Sequence, residues 1–178
     1  YNKGMNVLPT HRIVHNKQNS KNNLLDKISH VFTVKESSSV EDLLLQMKQS
    51  DKPNIINIGM ISNSKNCYLL SYNGRKNWDK NLSDASQSLD VNILHNFILK
   101  SGCGIDTNNQ NDLKYLSYLR GNNPPSEMLK TEDYKIVCFV NPPSLDDVFN
   151  IAGKGEVMPQ KSTFFFPKVF SGLVTRCF

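Results

Sequence analysis

Nowhere in its 178 residues does the chain hold an apolar run close to the ~20 residues that a membrane-spanning helix requires, so no membrane partner is expected. The opening Tyr1-Asn2-Lys3-Gly4 has neither an initiator methionine nor the apolar core of a signal peptide. The sequence therefore reads as starting inside a longer protein. Cysteine is scarce: Cys67, Cys103, Cys138 and Cys177 stand far apart, with no Cys-x-x-Cys pair. That spacing argues against zinc or thiol-redox use and suits a reducing, cytoplasmic compartment. No His-Glu-x-x-His or similar ligand spacing occurs, so no metal site is expected, and no nucleophile elbow is present. The last gap is in charge of one sign. Residues 1–25 and 157–178 contain no Asp or Glu.

That gap shapes the electrostatics. The net charge is +5, but the two acid-free ends carry +7 between them through Lys3, Arg12, Lys17, Lys21, Lys161, Lys168 and Arg176. Everything in between carries −2. Placed side by side, the ends would form one positive locus on a near-neutral body. Such a locus suits a small anionic metabolite or a nucleotide. It suits nucleic acid less, because a long polyanion is met by Lys and Arg spread along a face. With 38% hydrophobic and 21% charged residues the chain is composed like a folded globule, and its length suits one domain spanning 1–178.

Helical and extended patterns alternate irregularly. Met5–Leu8 reads as a strand ended by Pro9. Apolar spacing predicts a helix from about Asn22 to His30, and Ser38 with Glu41 predicts a capped helix over Val40–Lys48. Ile55–Ile61 and Cys67–Tyr72 flank a polar Asn63–Asn66 turn, a hairpin signal. Leu89–Lys100 is amphipathic, with Ile93 and Phe97 inward and Leu94 and Ile98 beside them, and His95 reads there as a packing histidine. A short element of uncertain type covers Tyr115–Leu119. Tyr134–Val140 reads as a buried strand, Ser144 caps a helix that stops at Gly153, and Gly172–Phe178 supplies a last strand. The expected class is α+β: a mixed, largely antiparallel sheet with helices packed on it.

The most informative stretch is Met158-Pro159-Gln160-Lys161-Ser162-Thr163-Phe164-Phe165-Phe166-Pro167-Lys168. Pro167 forbids a helix interior, and surface strands seldom carry three consecutive phenylalanines. The run reads as a buried, strand-like anchor that sets Lys161, Ser162 and Thr163 where an anion can bind. The plainer alternative is a core strand whose polar neighbours meet water. Lys161-Ser162 is not a phosphate-binding P-loop: Gln160 stands where the second glycine belongs and Pro159 lacks a backbone donor. What remains is a lysine beside two hydroxyls, with Lys168 near. Pro9-Thr10-His11-Arg12 is the second constellation. There His11 has the chemistry for proton transfer and Arg12 for clamping an oxyanion, although a lone histidine is more often a structural one.

Leu8–Arg12, Leu89–His95, Phe139–Pro142, Met158–Lys168 and Ser171–Val174 follow one another as in the carboxyl-terminal half of the bacterial and archaeal domain of unknown function 1015, which this chain resembles. That family looks related, through its amino-terminal half, to ParB-like nucleotide-using proteins that include a free-serine kinase. The Asp-Gly-His-His-Arg signature of that half is not found here. The resemblance implies a cytosolic phosphotransfer enzyme, a kinase or phosphatase acting on serine, phosphoserine or a similar metabolite. It also implies ATP or another nucleotide with Mg2+, bound mainly by the amino-terminal half. On this reading His11 and Arg12 are catalytic, and Lys161, Ser162, Thr163 and Lys168 hold phosphate. The alternatives are a ParB-related module that binds nucleic acid or regulates a partner, and a homodimer built on Phe164–Phe166.

Overall fold

The computed structural model describes residues 6–15, 24–49, 55–62, 64–74, 78–121 and 134–168. The strand expected at Gly172–Phe178 and the first residues of the Asn22–His30 helix lie outside them. The main sheet has six strands in the order β3 (Phe32–Ser37), β5 (Cys67–Tyr72), β4 (Asn57–Ser62), β7 (Tyr134–Phe139), β2 (Thr10–His15), β6 (Leu116–Arg120). Every pairing within it is antiparallel. A separate two-stranded ribbon joins β1 (Asn6–Leu8) to β8 (Phe164–Phe166), also antiparallel. The α+β class read from the sequence is the class observed.

Period-two alternation decides which residue meets which helix. Val14, Ile58, Met60, Leu70, Ile136 and Cys138 face one side. There they pack on α1 (Leu24–Ile28) and on the long helix that starts, after the short α3 (Asp84–Gln87), as α4 (Asp90–Ile93). Their neighbours Ile13, Ile61, Leu69 and Val137 face the other side and pack on Leu43 and Met47 of α2 (Val40–Lys48). The sheet is thus covered on both faces, which explains why β4 and β2 are buried through five consecutive residues each. The α2 layer sits close. A Cβ added at Gly59 would meet Met47 Sδ at 2.6 Å and Leu43 carbons at 3.3 Å. Gly59→Val is therefore expected to cost about 1–3 kcal/mol by overpacking. Chemical denaturation measures this, and an unchanged midpoint would show that α2 can shift freely.

The helix caps follow the sequence with a one-residue adjustment. Ser39, not Ser38, caps α2, accepting from the Asp42 N–H at 3.1 Å. Ser144 caps α5 (Leu145–Gly153) and forms a capping box with Asp147, as its sequence implies. Beyond Ile93 the amphipathic helix widens into a π-helix, Leu94–Gly102. Two adjacent pairs spaced by five, Ile93-Leu94 and Ile98-Leu99, are all fully buried. A wide turn places both pairs on one side, which 3.6-residue spacing does not. Phe97 is only half-buried and stacks edge-on with Phe32 and Trp78. Among the described residues, no helix is long and apolar enough to cross a membrane.

Candidate functional site

Pro9 does not end the chain's extended run but hands it from the ribbon to the main sheet. Thr10–His15 continues as an interior strand, with its neighbours on both sides. The consequence for Arg12 is large. It is 0% exposed, although arginine is almost never fully buried without partners. Its Nη2 donates to the Gln160 carbonyl at 3.1 Å and the Lys161 carbonyl at 3.4 Å, its Nε donates to His95 Nε2 at 3.3 Å, and its Nη1 donates to the Thr10 carbonyl. The guanidinium also lies 4.9 Å from the ring centroid of Tyr118, the residue opposite it on β6. Burial pulls its pKa down to about 10, which leaves it charged at neutral pH. It meets no carboxylate in an ion pair among the described residues. Neutral acceptors satisfy it instead.

Arg12 is thus a fastener and not an oxyanion clamp. The expectation of direct ligand contact gives way because its donors are spent on main-chain carbonyls and one imidazole. The loop it grips is tied at several points. Glu156 accepts from the Ser83 N–H at 3.0 Å and from the Ser86 hydroxyl, and Ser162 Oγ donates to the Pro159 carbonyl at 2.5 Å. Lys161 takes a left-handed φ of 58°, an uncommon conformation for a side chain with a Cβ. Ser162 is buried at the back of this turn, while Lys161 is exposed.

His11 is also committed. The Val140 N–H donates to its Nδ1 at 3.3 Å, so Nε2 carries the proton and donates to the Gly121 carbonyl at 3.1 Å. Burial, more than neighbouring Arg12, pulls its pKa to about 4. A neutral ring with both nitrogens engaged by backbone offers no site for proton transfer, so the catalytic role expected for His11 is not supported by this geometry. His95 is bound in the same manner. Its Nε2 accepts from Arg12, its Nδ1 lies 3.2 Å from Thr107 Oγ1, and burial pulls its pKa to about 3. Asp90 shows the reverse shift. Its Oδ2 accepts from both Asn141 N–H and Nδ2 at 3.0 Å, yet burial pushes its pKa up to about 6.

What these fastenings build is a cleft of about 450 Å3 between the ribbon and the edge of the sheet. Thr10, Arg120, Lys161, Thr163, Phe164 and Lys168 line it, and no acidic residue does. Phe164 is the platform, with the Arg120 guanidinium 5.2 Å and the Lys168 ammonium 5.8 Å from its centroid. The opening and closing stretches therefore meet, and Lys161, Thr163 and Lys168 face one cavity. Ser162 stands behind it as a structural hydroxyl. The phenylalanine run is not the buried anchor expected. Phe164 and Phe165 are half-buried and Phe166 is 52% exposed, and among the described residues the ribbon holds only β1 and β8.

Arg120 was missed by sequence reasoning. Had Leu116–Arg120 been read as a strand, alternation would have put Tyr118 and Arg120 on one face. In register they lie opposite Arg12 and Thr10. Among the described residues, no three of His, Cys, Asp or Glu gather as metal ligands.

No curated protein matches the sequence. A solved structure, a conserved hypothetical protein from Pyrococcus furiosus, is similar at 12% identity and a TM-score of 0.45. The likeness covers 93% of this chain and 57% of that one, so the chain spans little more than half the length of that protein. A family match covers residues 1–92, which include the Leu8–Arg12 motif but not Met158–Lys168. Over that half of its length the match is to the family described as "Protein of unknown function (DUF1015)", and the chain belongs to it.

Proposed function

We propose that this chain supplies the phosphate-holding part of a cytoplasmic small-molecule phosphotransfer enzyme, a kinase or phosphatase acting on serine, phosphoserine or a similar metabolite. The reading includes kinship with ParB-like nucleotide-using proteins and a place in the carboxyl-terminal part of a longer protein. One observation carries it: three cations and two hydroxyls converge on a single concavity that no carboxylate lines. A phosphate group needs that combination, charge for its two negative oxygens and short donors to fix their direction. Arg120 can fork across two oxygens, whereas Lys161 and Lys168 act as point charges. Thr10 and Thr163 add hydroxyl donors. A nucleic-acid track would call for cations along an open face, and these are focused instead.

Calorimetric titration with pyrophosphate, phosphoserine and ATP tests the reading. One saturable site is expected, weakening as salt rises. Lys161→Ala and Lys168→Ala should each weaken binding about tenfold, near 1.4 kcal/mol, without changing the thermal midpoint. Absence of binding by all three anions, or equal binding by the double variant, would overturn the proposal.

A further inference from the structure

A second and larger cavity, about 610 Å3, is walled by Val157–Gln160, the π-helix and the loop that follows it. It shares no lining residue with the anion cleft. Its volume falls well inside the range of small-molecule sites, roughly 300–1,000 Å3. Its chemistry is different from that of the cleft. The lining ammonium is already paired, Lys100 Nζ lying 2.9 Å from Asp106, and the Asp79 carboxylate accepts from the Asn81 N–H at 2.9 Å. His95 is neutral, with both ring nitrogens occupied. No cation is left to draw an anion in.

What the walls offer is amide. Asn96, Asn108, Gln110 and Gln160 line the cavity, the last three at exposed positions. Their side-chain amides are not used in hydrogen bonds among the described residues, where only the backbone of these four is engaged. Each carries two donors and an acceptor in one plane. Trp78 adds an apolar surface, fixed by its N–H donating to the Gln87 carbonyl at 3.4 Å. Hydroxyls on adjacent carbons are the natural complement: one donates to the amide oxygen while the next accepts from its nitrogen. We propose that this cavity is a binding site for an uncharged polyhydroxyl ligand, its hydroxyls held by these four amides. A free sugar or cyclitol and the ribose of a nucleoside share that chemistry. The proposal stands apart from the anion cleft, since it uses none of the same side chains.

Saturation-transfer NMR with glucose, ribose, myo-inositol and adenosine tests it. Transfer to the protons beside the hydroxyls is expected for at least one of them, and a ribose-only pattern in adenosine would identify the nucleoside source. Asn96→Ala with Gln110→Ala should weaken that ligand at least about fivefold. Gln110→Ala alone, at an exposed loop position, carries the test if the pair misfolds. Pyrophosphate should not displace the ligand. Four results would overturn the proposal: no transfer from any probe, transfer confined to the adenine ring, binding indifferent to the amide variants, or displacement by pyrophosphate.

Discussion

Replacing Arg12 with alanine is expected to lower the unfolding free energy by about 3–5 kcal/mol, because several buried neutral acceptors lose their donor and a void is left. The reasoning starts from its complete burial and its contacts. Truncation orphans the carbonyls of Gln160 and Lys161 and the Nε2 of His95, and leaves a void against Tyr118. A buried acceptor without a donor costs about 1–3 kcal/mol, and the void adds to that. For a domain whose total stability is roughly 5–15 kcal/mol this is a large fraction. Arg12→Lys should lose less, because one ammonium can reach only part of what the fork reaches. Both variants should also speed hydrogen exchange at Lys161–Thr163 and weaken anion binding, although Arg12 does not line the cleft. A loss under about 1 kcal/mol for the alanine variant would show that the loop does not depend on this side chain.

The second large effect is on pH. His11 and His95 have pKa values near 4 and 3 in the fold, both lowered by burial first. Unfolded, each takes a proton near pH 6.5. As pH falls below 6.5 the unfolded chain therefore gains two protons that the native state refuses, and stability drops. Asp90 works the other way. Its native pKa near 6 exceeds the unfolded value near 3.8, so the native state binds one proton first between those limits. One proton net favours unfolding, a slope of about 1.4 kcal/mol per pH unit. Between pH 6.5 and 4.5 the stability should thus fall by about 2–3 kcal/mol. Urea unfolding at half-unit steps measures it, with His95→Asn expected to flatten the curve to near zero slope. A flat profile in the unmodified protein would contradict the assignment of neutral, buried histidines.

Much of this architecture was legible in the residues, for identifiable reasons. The hairpin of β4 and β5, the Tyr134–Phe139 strand and the Ser144 cap all rest on local signals: turn residues, an apolar run, and a serine between two prolines and an amphipathic stretch. The two acid-free ends do meet, but the opening one brings Thr10 and no cation to the cleft, whose positive charge comes from Lys161, Lys168 and Arg120. What failed depended on partners distant in sequence. Thr-His-Arg looks like surface, because nothing local announces that a histidine 83 residues away and carbonyls 148 and 149 residues away will absorb the guanidinium. The π-helix hid behind ordinary amphipathic spacing. Phe164–Phe166 looked like core, but among the described residues this strand pairs with β1 alone. His11 was misjudged for a related reason: composition shows an imidazole, but only the fold shows that the Val140 amide and the Gly121 carbonyl have taken both its nitrogens.

The way Arg12 grips its loop has a consequence for how this protein can diversify. The guanidinium binds the oxygens of Gln160 and Lys161, groups that all twenty amino acids possess. The fastening itself is therefore blind to which side chains stand there, while the left-handed φ of Lys161 disfavours proline and β-branched residues at that position. Lys161 reaches into one cavity and Gln160 borders the other. If the two proposed sites bind ligands, mutation at either position would retune them while the scaffold beneath keeps its grip, so specificity and foldability would evolve separately in this loop.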